Sequence, residues 1–103
     1  MTKEFNSYRL YYHSAPQYSW QSRLYLYKDG AYVGSMFFMK EHGNIPANVE
    51  ISGKPRLYFP DSKFEEIMNV LRHDKPLYIT LVTTNGIGTI STSTEPIGEE
   101  EDD

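Results

Sequence analysis

Aromatic side chains recur along residues 22–40, SRLYLYKDGAYVGSMFFMK, together with basic ones, and they have the clearest capacity for chemistry in this sequence. The planes of tyrosine, phenylalanine and arginine can stack on unpaired nucleobases, while basic groups bind phosphates. Each stacked base contributes about 1–3 kcal/mol to binding. We therefore predict a binding surface composed of Arg23, Tyr25, Tyr27, Tyr32, Gly34, Met36 and Phe38. The candidate phosphate contacts are Arg9, Lys28, Lys40 and Arg56.

The same aromatic residues are also typical of a protein interface. Tyrosine and methionine are enriched where proteins associate, and pairing of two copies about a twofold axis is common. In a simple hairpin Gly34 lies opposite Tyr25, so the ring could equally cover exposed glycine backbone. The alternative hypothesis is therefore a structural or regulatory interaction protein whose aromatic face contacts its partner. Under both hypotheses we expect a homodimer.

The titratable residues give little support for catalysis. His13, His42 and His73 are separated in the sequence and lack a metal-ligand spacing such as H-E-x-x-H. Glu41 and His42 are the remaining acid–base candidates, in a third hypothesis of a small-ligand enzyme. The absence of cysteine excludes disulfides and thiolate metal sites. We therefore expect a non-enzymatic binding module with no metal and no cofactor.

Acidic residues are concentrated at one end of the chain. Residues 95–103, EPIGEEEDD, hold six of the fourteen acids, which leaves 14 − 6 = 8 acids against ten basic residues elsewhere. We predict one domain over residues 1–94 and an acidic, disordered tail over residues 95–103. A mobile anionic segment of this kind could compete with nucleic acid for a basic surface.

The sequence also suggests a location for the protein. The first ten residues, MTKEFNSYRL, lack the apolar core of a signal peptide. The longest unbroken apolar run, Met36–Met39, is too short to cross a membrane. We therefore expect a cytoplasmic protein that does not contact a membrane.

Turn and strand signals predict the elements that position the candidate residues. The first three strands are expected over residues 6–13, 21–28 and 31–40. Asp29-Gly30, between the second and third strands, is typical of a two-residue type I′ turn. After a loop, residues 49–60 are consistent with a short broken strand around a turn at Gly53–Pro55.

One helix is predicted over about residues 62–74. Ser62 and Glu65 have the spacing of a capping box at its start. The apolar stripe at helical spacing consists of Phe64, Ile67, Met68 and Leu71. Two further strands, over residues 76–84 and 87–94, follow the helix, and Asn85-Gly86 between them predicts a second type I′ turn.

These turns predict which residues share a face. With Asp29-Gly30 as a two-residue turn, Tyr27 pairs with Tyr32, and the predicted binding residues all lie on one face. The opposite, core face then carries Leu24, Leu26, Val33, Phe37 and Met39. In the second hairpin, Leu77, Ile79 and Leu81 share the core face with Ile90. A slip of one residue would exchange the two faces.

The fold class that follows is α+β. We predict an antiparallel sheet of five to six strands with the helix packed on one face, in the order β-β-β-(β)-α-β-β. At the level of topology this order is similar to that of dimeric regulators that bind single-stranded nucleic acid. It departs from them by the hairpin after the helix, and the similarity implies no site residues.

Overall fold

The computed structural model describes residues 1–14, 20–40 and 44–92 of the chain. These residues form eight strands and one α-helix, α1 (Phe64–His73), which follows a 3-10 turn at Asp61–Lys63. The strands are β1 Thr2–Phe5, β2 Ser7–Tyr12, β3 Trp20–Lys28, β4 Ala31–Met39, β5 Val49–Ile51, β6 Lys54–Pro60, β7 Leu77–Val82 and β8 Ile87–Ser91. The predicted α+β class is confirmed, and β1 is a strand beyond those predicted.

The strands form two sheets rather than the single sheet predicted. One sheet has five strands in the order β2-β3-β4-β6-β5, and the other has three in the order β1-β7-β8. Neighbouring strands are antiparallel, except that β4 and β6 run parallel. The division occurs at Asn6, whose side chain exchanges hydrogen bonds with Asp29 at 2.8 and 3.0 Å. Before Asn6 the chain pairs with β7, and after Asn6 it pairs with β3.

The first hairpin has the predicted turn but a different register. Asp29 and Gly30 both have positive φ, 50° and 86°, as a type I′ turn requires. Beyond the turn, Tyr27 pairs with Tyr32 but Leu26 pairs with Gly34, so Val33 is the extra residue of a β-bulge. From Gly34 onward, each β4 side chain therefore lies on the face opposite to the one that a hairpin without a bulge would give it.

The bulge corrects the predicted faces. Met36 pairs with Leu24, and both Met36 and Phe38 are completely buried in the core. Phe37 pairs with Arg23 on the outer face instead. The predicted placement of Gly34, Met36 and Phe38 beside the tyrosines is therefore wrong. The predicted face of Phe37 is also wrong, although its ring is buried as expected, with 8% exposed.

The other two hairpins also differ from the predicted turns. Residues 49–60 form a hairpin around Ser52-Gly53, with φ of 53° and 79°, rather than one broken strand. The β7–β8 connection has four residues, 83–86, so the predicted two-residue turn at Asn85-Gly86 is wrong. Ile79 pairs with Ile90, a shift of two residues, which leaves the predicted core face unchanged because side chains alternate with period two.

The helix buries the predicted stripe but begins differently. The 3-10 turn at Asp61–Lys63 precedes α1, and neither start has a side-chain capping hydrogen bond, so the predicted capping box does not form. Met68 and Leu71 enter the core, with Phe64 and Ile67 packed at its margin. The helix is not long and apolar enough to cross a membrane.

The core lies where the inner face of the five-stranded sheet meets the three-stranded sheet and the helix. Its buried members are Phe5, Leu24, Leu26, Met36, Phe38, Leu57, Met68, Leu71, Leu77, Ile79 and Leu81. The outer face of the five-stranded sheet therefore has no covering layer among the described elements, and it carries most of the residues predicted to bind.

Candidate functional site

Rings and cations alternate in two dimensions on the outer face of the five-stranded sheet. One row across the strands consists of four residues, each paired with the next: Arg9, Tyr25, Ser35 and Arg56. In the next row the partners are Tyr11, Arg23, Phe37 and Tyr58. We call this surface the ring face, and it consists of Arg9, Tyr11, Trp20, Arg23, Tyr25, Tyr27, Tyr32, Phe37, Lys54, Arg56 and Tyr58.

Arg23 lies at the centre of this arrangement. Its guanidinium carbon is 4.7 Å from the ring centroid of Trp20, 4.9 Å from that of Tyr11 and 5.3 Å from that of Tyr25. All three distances are within the range of cation–π attraction. The Nε atom is buried and has no hydrogen-bond partner among the described residues. Arg23 is thus held by three rings, and its Nε–H makes no hydrogen bond within the described part of the chain.

The other three cations of the ring face are each held near a ring. Arg56 is 4.6 Å from the centroid of Phe37, and its Nε donates to the Ser35 hydroxyl at 3.2 Å. Arg9 and Lys54 lie 5.9 Å from the centroids of Tyr27 and Tyr32, respectively. A hydrogen bond to Tyr11 raises the pKa of Arg9. The positive charges are therefore spread over the face rather than clustered.

The tyrosine rings brace one another through their edges. Tyr25 contacts Tyr11 and Tyr32 at centroid distances of 5.7 and 5.8 Å, with interplanar angles of 76° and 68°. Tyr27 contacts Tyr32 at 6.0 Å and 61°. Edge-to-face geometry of this kind is favourable between aromatic rings and restricts their rotation. The tyrosine rings stay partly accessible. Their mutual contacts fix the spaces between them before any ligand binds.

The carboxylates of the described residues lie off the ring face. They are Glu4 on β1, Asp29 in the β3–β4 turn, Glu50 on the opposite face of β5, and Asp61, Glu65, Glu66 and Asp74 in or beside the helical segment. Among these residues, no group of three or more acids and histidines is placed to hold a metal ion. The ring face is consequently cationic throughout its described part.

Several predicted site residues occupy other positions. Lys28 points away from the ring face, and its Nζ lies 2.9 Å from Glu4 Oε2, a hydrogen bond that raises the pKa of Lys28. Lys40 follows the end of β4 and is half-buried. The acid–base candidates Glu41 and His42, and the acidic tail of residues 95–103, lie outside the described residues. Arg9, Arg23, Arg56 and the three predicted tyrosines come together as described above.

Sequence reasoning missed five members of the ring face. These are Tyr11, Trp20, Phe37, Lys54 and Tyr58. The alternation of Arg9 and Tyr11 along one strand was an available signal for the first of them. Lys54 and Tyr58 arrive through the parallel pairing of β6 with β4, for which the local sequence has no comparable signal.

His13, at the rim of the ring face, provides a test of this geometry by titration. Its ring is 3.9 Å from that of Trp20, and removal from water, followed by the positive charge of Arg23, lowers the pKa of His13 below the ordinary value of 6.5. We expect NMR titration to give a midpoint below 6.5, and Arg23→Gln to raise it. The unfolded chain keeps the higher pKa, so His13 stabilises the fold above pH 6.5, and this contribution falls as the pH drops toward the folded-state pKa. A native midpoint at or above 6.5 would contradict the placement of His13.

The ring face has the components of a surface that holds flat or anionic groups, namely partly accessible rings and dispersed cations. It offers no described carboxylate beside them. Comparison with family models, with curated proteins and with solved structures finds no match to this chain.

Proposed function

We propose that the ring face binds single-stranded nucleic acid. The observation that supports this most strongly is the alternation of Arg9, Arg23 and Arg56 with aromatic rings in two adjacent rows of the sheet. Single strands expose both unstacked bases and phosphates, and a face that alternates rings with cations can contact both at once. A cationic surface without rings would suit a duplex instead, because duplex bases are already stacked.

The ring geometry also determines how a base would enter. Because the tyrosines stand at steep angles to one another, a base would insert against the exposed plane of one ring and meet the edge of the next. Arg23 lies among these rings, with its guanidinium carbon 5.3 Å from the centroid of Tyr25, so its charge would act on a base or phosphate placed there. Stacking of this type tolerates any base, so we propose binding with weak sequence preference.

The charge of the ring face sets the expected salt dependence. It contributes four cations, Arg9, Arg23, Lys54 and Arg56. Each phosphate neutralised on a single strand contributes about −0.7 to the slope of log K against log salt concentration. If all four cations contact phosphates, the slope is about −2.8.

Fluorescence anisotropy with a labelled single-stranded oligonucleotide of about 12 nucleotides tests the proposal. We expect salt-dependent binding that Tyr25→Leu weakens by about 5- to 150-fold, which corresponds to the loss of one stacked base at about 1–3 kcal/mol. The matched control is Tyr78→Leu, since Tyr78 is a half-buried tyrosine on a strand of the other sheet. It should leave the affinity within about threefold of the native value.

The same titration identifies the competing function. If no oligonucleotide binds at low salt, the proposal is wrong. Reduced self-association of Tyr25→Leu in that case would favour the interaction-protein hypothesis, in which the ring face contacts another protein.

A further inference from the structure

The four edge strands of the two sheets differ in their protection. An edge presents unpaired N–H and C=O groups, and proteins usually protect it with charges, proline, bulges or short length. In the three-stranded sheet, β1 carries Lys3 and Glu4, and β8 carries the hydroxyls of Thr89 and Ser91. In the five-stranded sheet, β5 has only three residues. The fourth edge, β2, has six residues, no proline and an uninterrupted register with β3.

The hydrogen-bond phase of β2 shows which of its groups point outward. The His13 N–H donates to Gln21 O at 2.8 Å, in line with the β2–β3 register. Because hydrogen-bonded residues alternate along an antiparallel ladder, the odd-numbered residues of β2 bond to β3. The N–H and C=O groups of Tyr8, Leu10 and Tyr12 therefore point away from the sheet. Among the described residues, no strand pairs with them.

The side chains of the same three residues are exposed although they lie on the inner side of the sheet. Tyr8, Leu10 and Tyr12 are 36%, 40% and 61% exposed, whereas their partners on β3, Leu26, Leu24 and Ser22, are completely buried. An edge with both open backbone groups and an apolar strip favours addition of another strand.

We propose that β2 pairs antiparallel with β2 of a second copy of this chain, about a twofold axis at Leu10. Leu10 then faces the partner subunit's Leu10, and Tyr8 faces the partner subunit's Tyr12. This register joins all three outward-pointing residues of each copy, with two hydrogen bonds for each facing pair. It closes the apolar strips of both copies against each other and makes one continuous ten-stranded sheet.

The charge pattern of β2 favours this register over the one displaced toward Arg9. With the axis at Leu10, Arg9 lies opposite the partner subunit's Tyr11, which repeats the pairing of Tyr11 with Arg23 inside each chain. A pairing displaced by two residues would set Arg9 opposite the partner subunit's Arg9, and like charges directly opposite are unfavourable. The ring face thereby continues across the axis, and a cation again lies opposite a ring there. This extension of the binding surface rests on the proposed function, whereas the pairing itself does not.

Light scattering after size-exclusion chromatography tests the pairing without any nucleic acid. We expect a mass of about twice 12.0 kDa. Leu10→Lys places charges against each other at the axis and should weaken association at least tenfold. The matched control Ile87→Lys alters a more exposed apolar residue at the edge of the other sheet and should remain dimeric. A native chain that is monomeric at high micromolar concentration would overturn the proposal.

Cysteine substitution tests the register, since the native chain has no cysteine. Facing residues in such a pair have Cα atoms about 5.5 Å apart, within disulfide range, so Leu10→Cys should cross-link in oxidised glutathione. Tyr8→Cys should not, because the two substituted positions lie about 14 Å apart along the strand. Cross-linking of Tyr8→Cys, or its absence in Leu10→Cys, would overturn the proposal. These outcomes do not depend on oligonucleotide binding, so failure of the proposed function would be recognised separately.

Discussion

Replacing Phe38 by alanine is expected to lower the free energy of unfolding by about 3–5 kcal/mol, the largest loss we expect from any single change discussed for this chain. The Phe38 ring is completely buried. It stacks on Phe59 at a centroid distance of 5.6 Å and meets the edge of Phe64 at 5.1 Å, so its removal leaves a cavity between β4, β6 and the helix. Urea denaturation followed by circular dichroism measures the change.

The neighbouring phenylalanine is the matched control. Phe37 lies on the ring face between Trp20, Tyr58 and Arg56, where it is 8% exposed and outside the core cluster that contains Phe38. Phe37→Ala should therefore cost less stability than Phe38→Ala, because the half-buried side chains beside it on the outer face can relax into the space. The opposite order would contradict the bulge at Val33, since a simple hairpin exchanges these two residues. If Phe38→Ala does not fold, Phe38→Leu and Phe37→Leu give the same comparison with smaller losses.

Asn48→Ala is expected to cost about 1–3 kcal/mol, a large effect for a loop residue. The Asn48 side chain accepts a hydrogen bond from the Tyr58 N–H at 2.7 Å and donates to Gly86 O at 3.0 Å. It thus connects β6 of the five-stranded sheet with the loop that joins β7 and β8 of the three-stranded sheet. Alanine would leave a partly buried N–H and C=O without partners. Thermal and urea unfolding measure the loss.

Two substitutions define the cause of that loss. Asn48→Asp keeps the oxygen that accepts from the Tyr58 N–H but loses the donor to Gly86 O, so an intermediate stability is expected. Asn44→Ala changes an exposed residue of the same segment and should stay within about 0.5 kcal/mol of the native value. An equal loss at both asparagines would show that the segment as a whole, and not the two hydrogen bonds, determines the effect.

Local signals predicted the elements well. The Asp29-Gly30 turn needs only its own two residues to adopt positive φ, and the helix stripe needs only its own periodicity. The Asn85-Gly86 dipeptide failed because the Asn85 side chain accepts the Ile87 N–H at 3.0 Å inside a four-residue loop. A dipeptide can serve several turns, and the strands beside it decide which one forms.

The face of each β4 residue could not be predicted from the turn alone. An added Cβ at Gly34 would lie 3.0 Å from Pro55 O, so a close approach of β6 requires glycine on the inner face at this point. An isolated glycine in a strand is a recognised sign of a bulge or of such an approach. Sequence reasoning instead assumed a hairpin without a bulge, which set Gly34 opposite Tyr25 and therefore exchanged Phe37 with Phe38. The parallel partner β6, which supplies this contact, is itself a long-range feature.

The pairing of β1 with β7 has a consequence for how the chain reaches its folded state. Thr2 pairs with Thr80 and Phe5 with Leu77, so these partners are 78 and 72 residues apart in the sequence. The three-stranded sheet cannot close until β7 and β8 have left the ribosome, even though the β3–β4 hairpin can form much earlier. High contact order of this kind is associated with folding in milliseconds to seconds rather than microseconds. During synthesis, the apolar inner side of β3 and β4 therefore stays exposed until the last strands that cover it have been made.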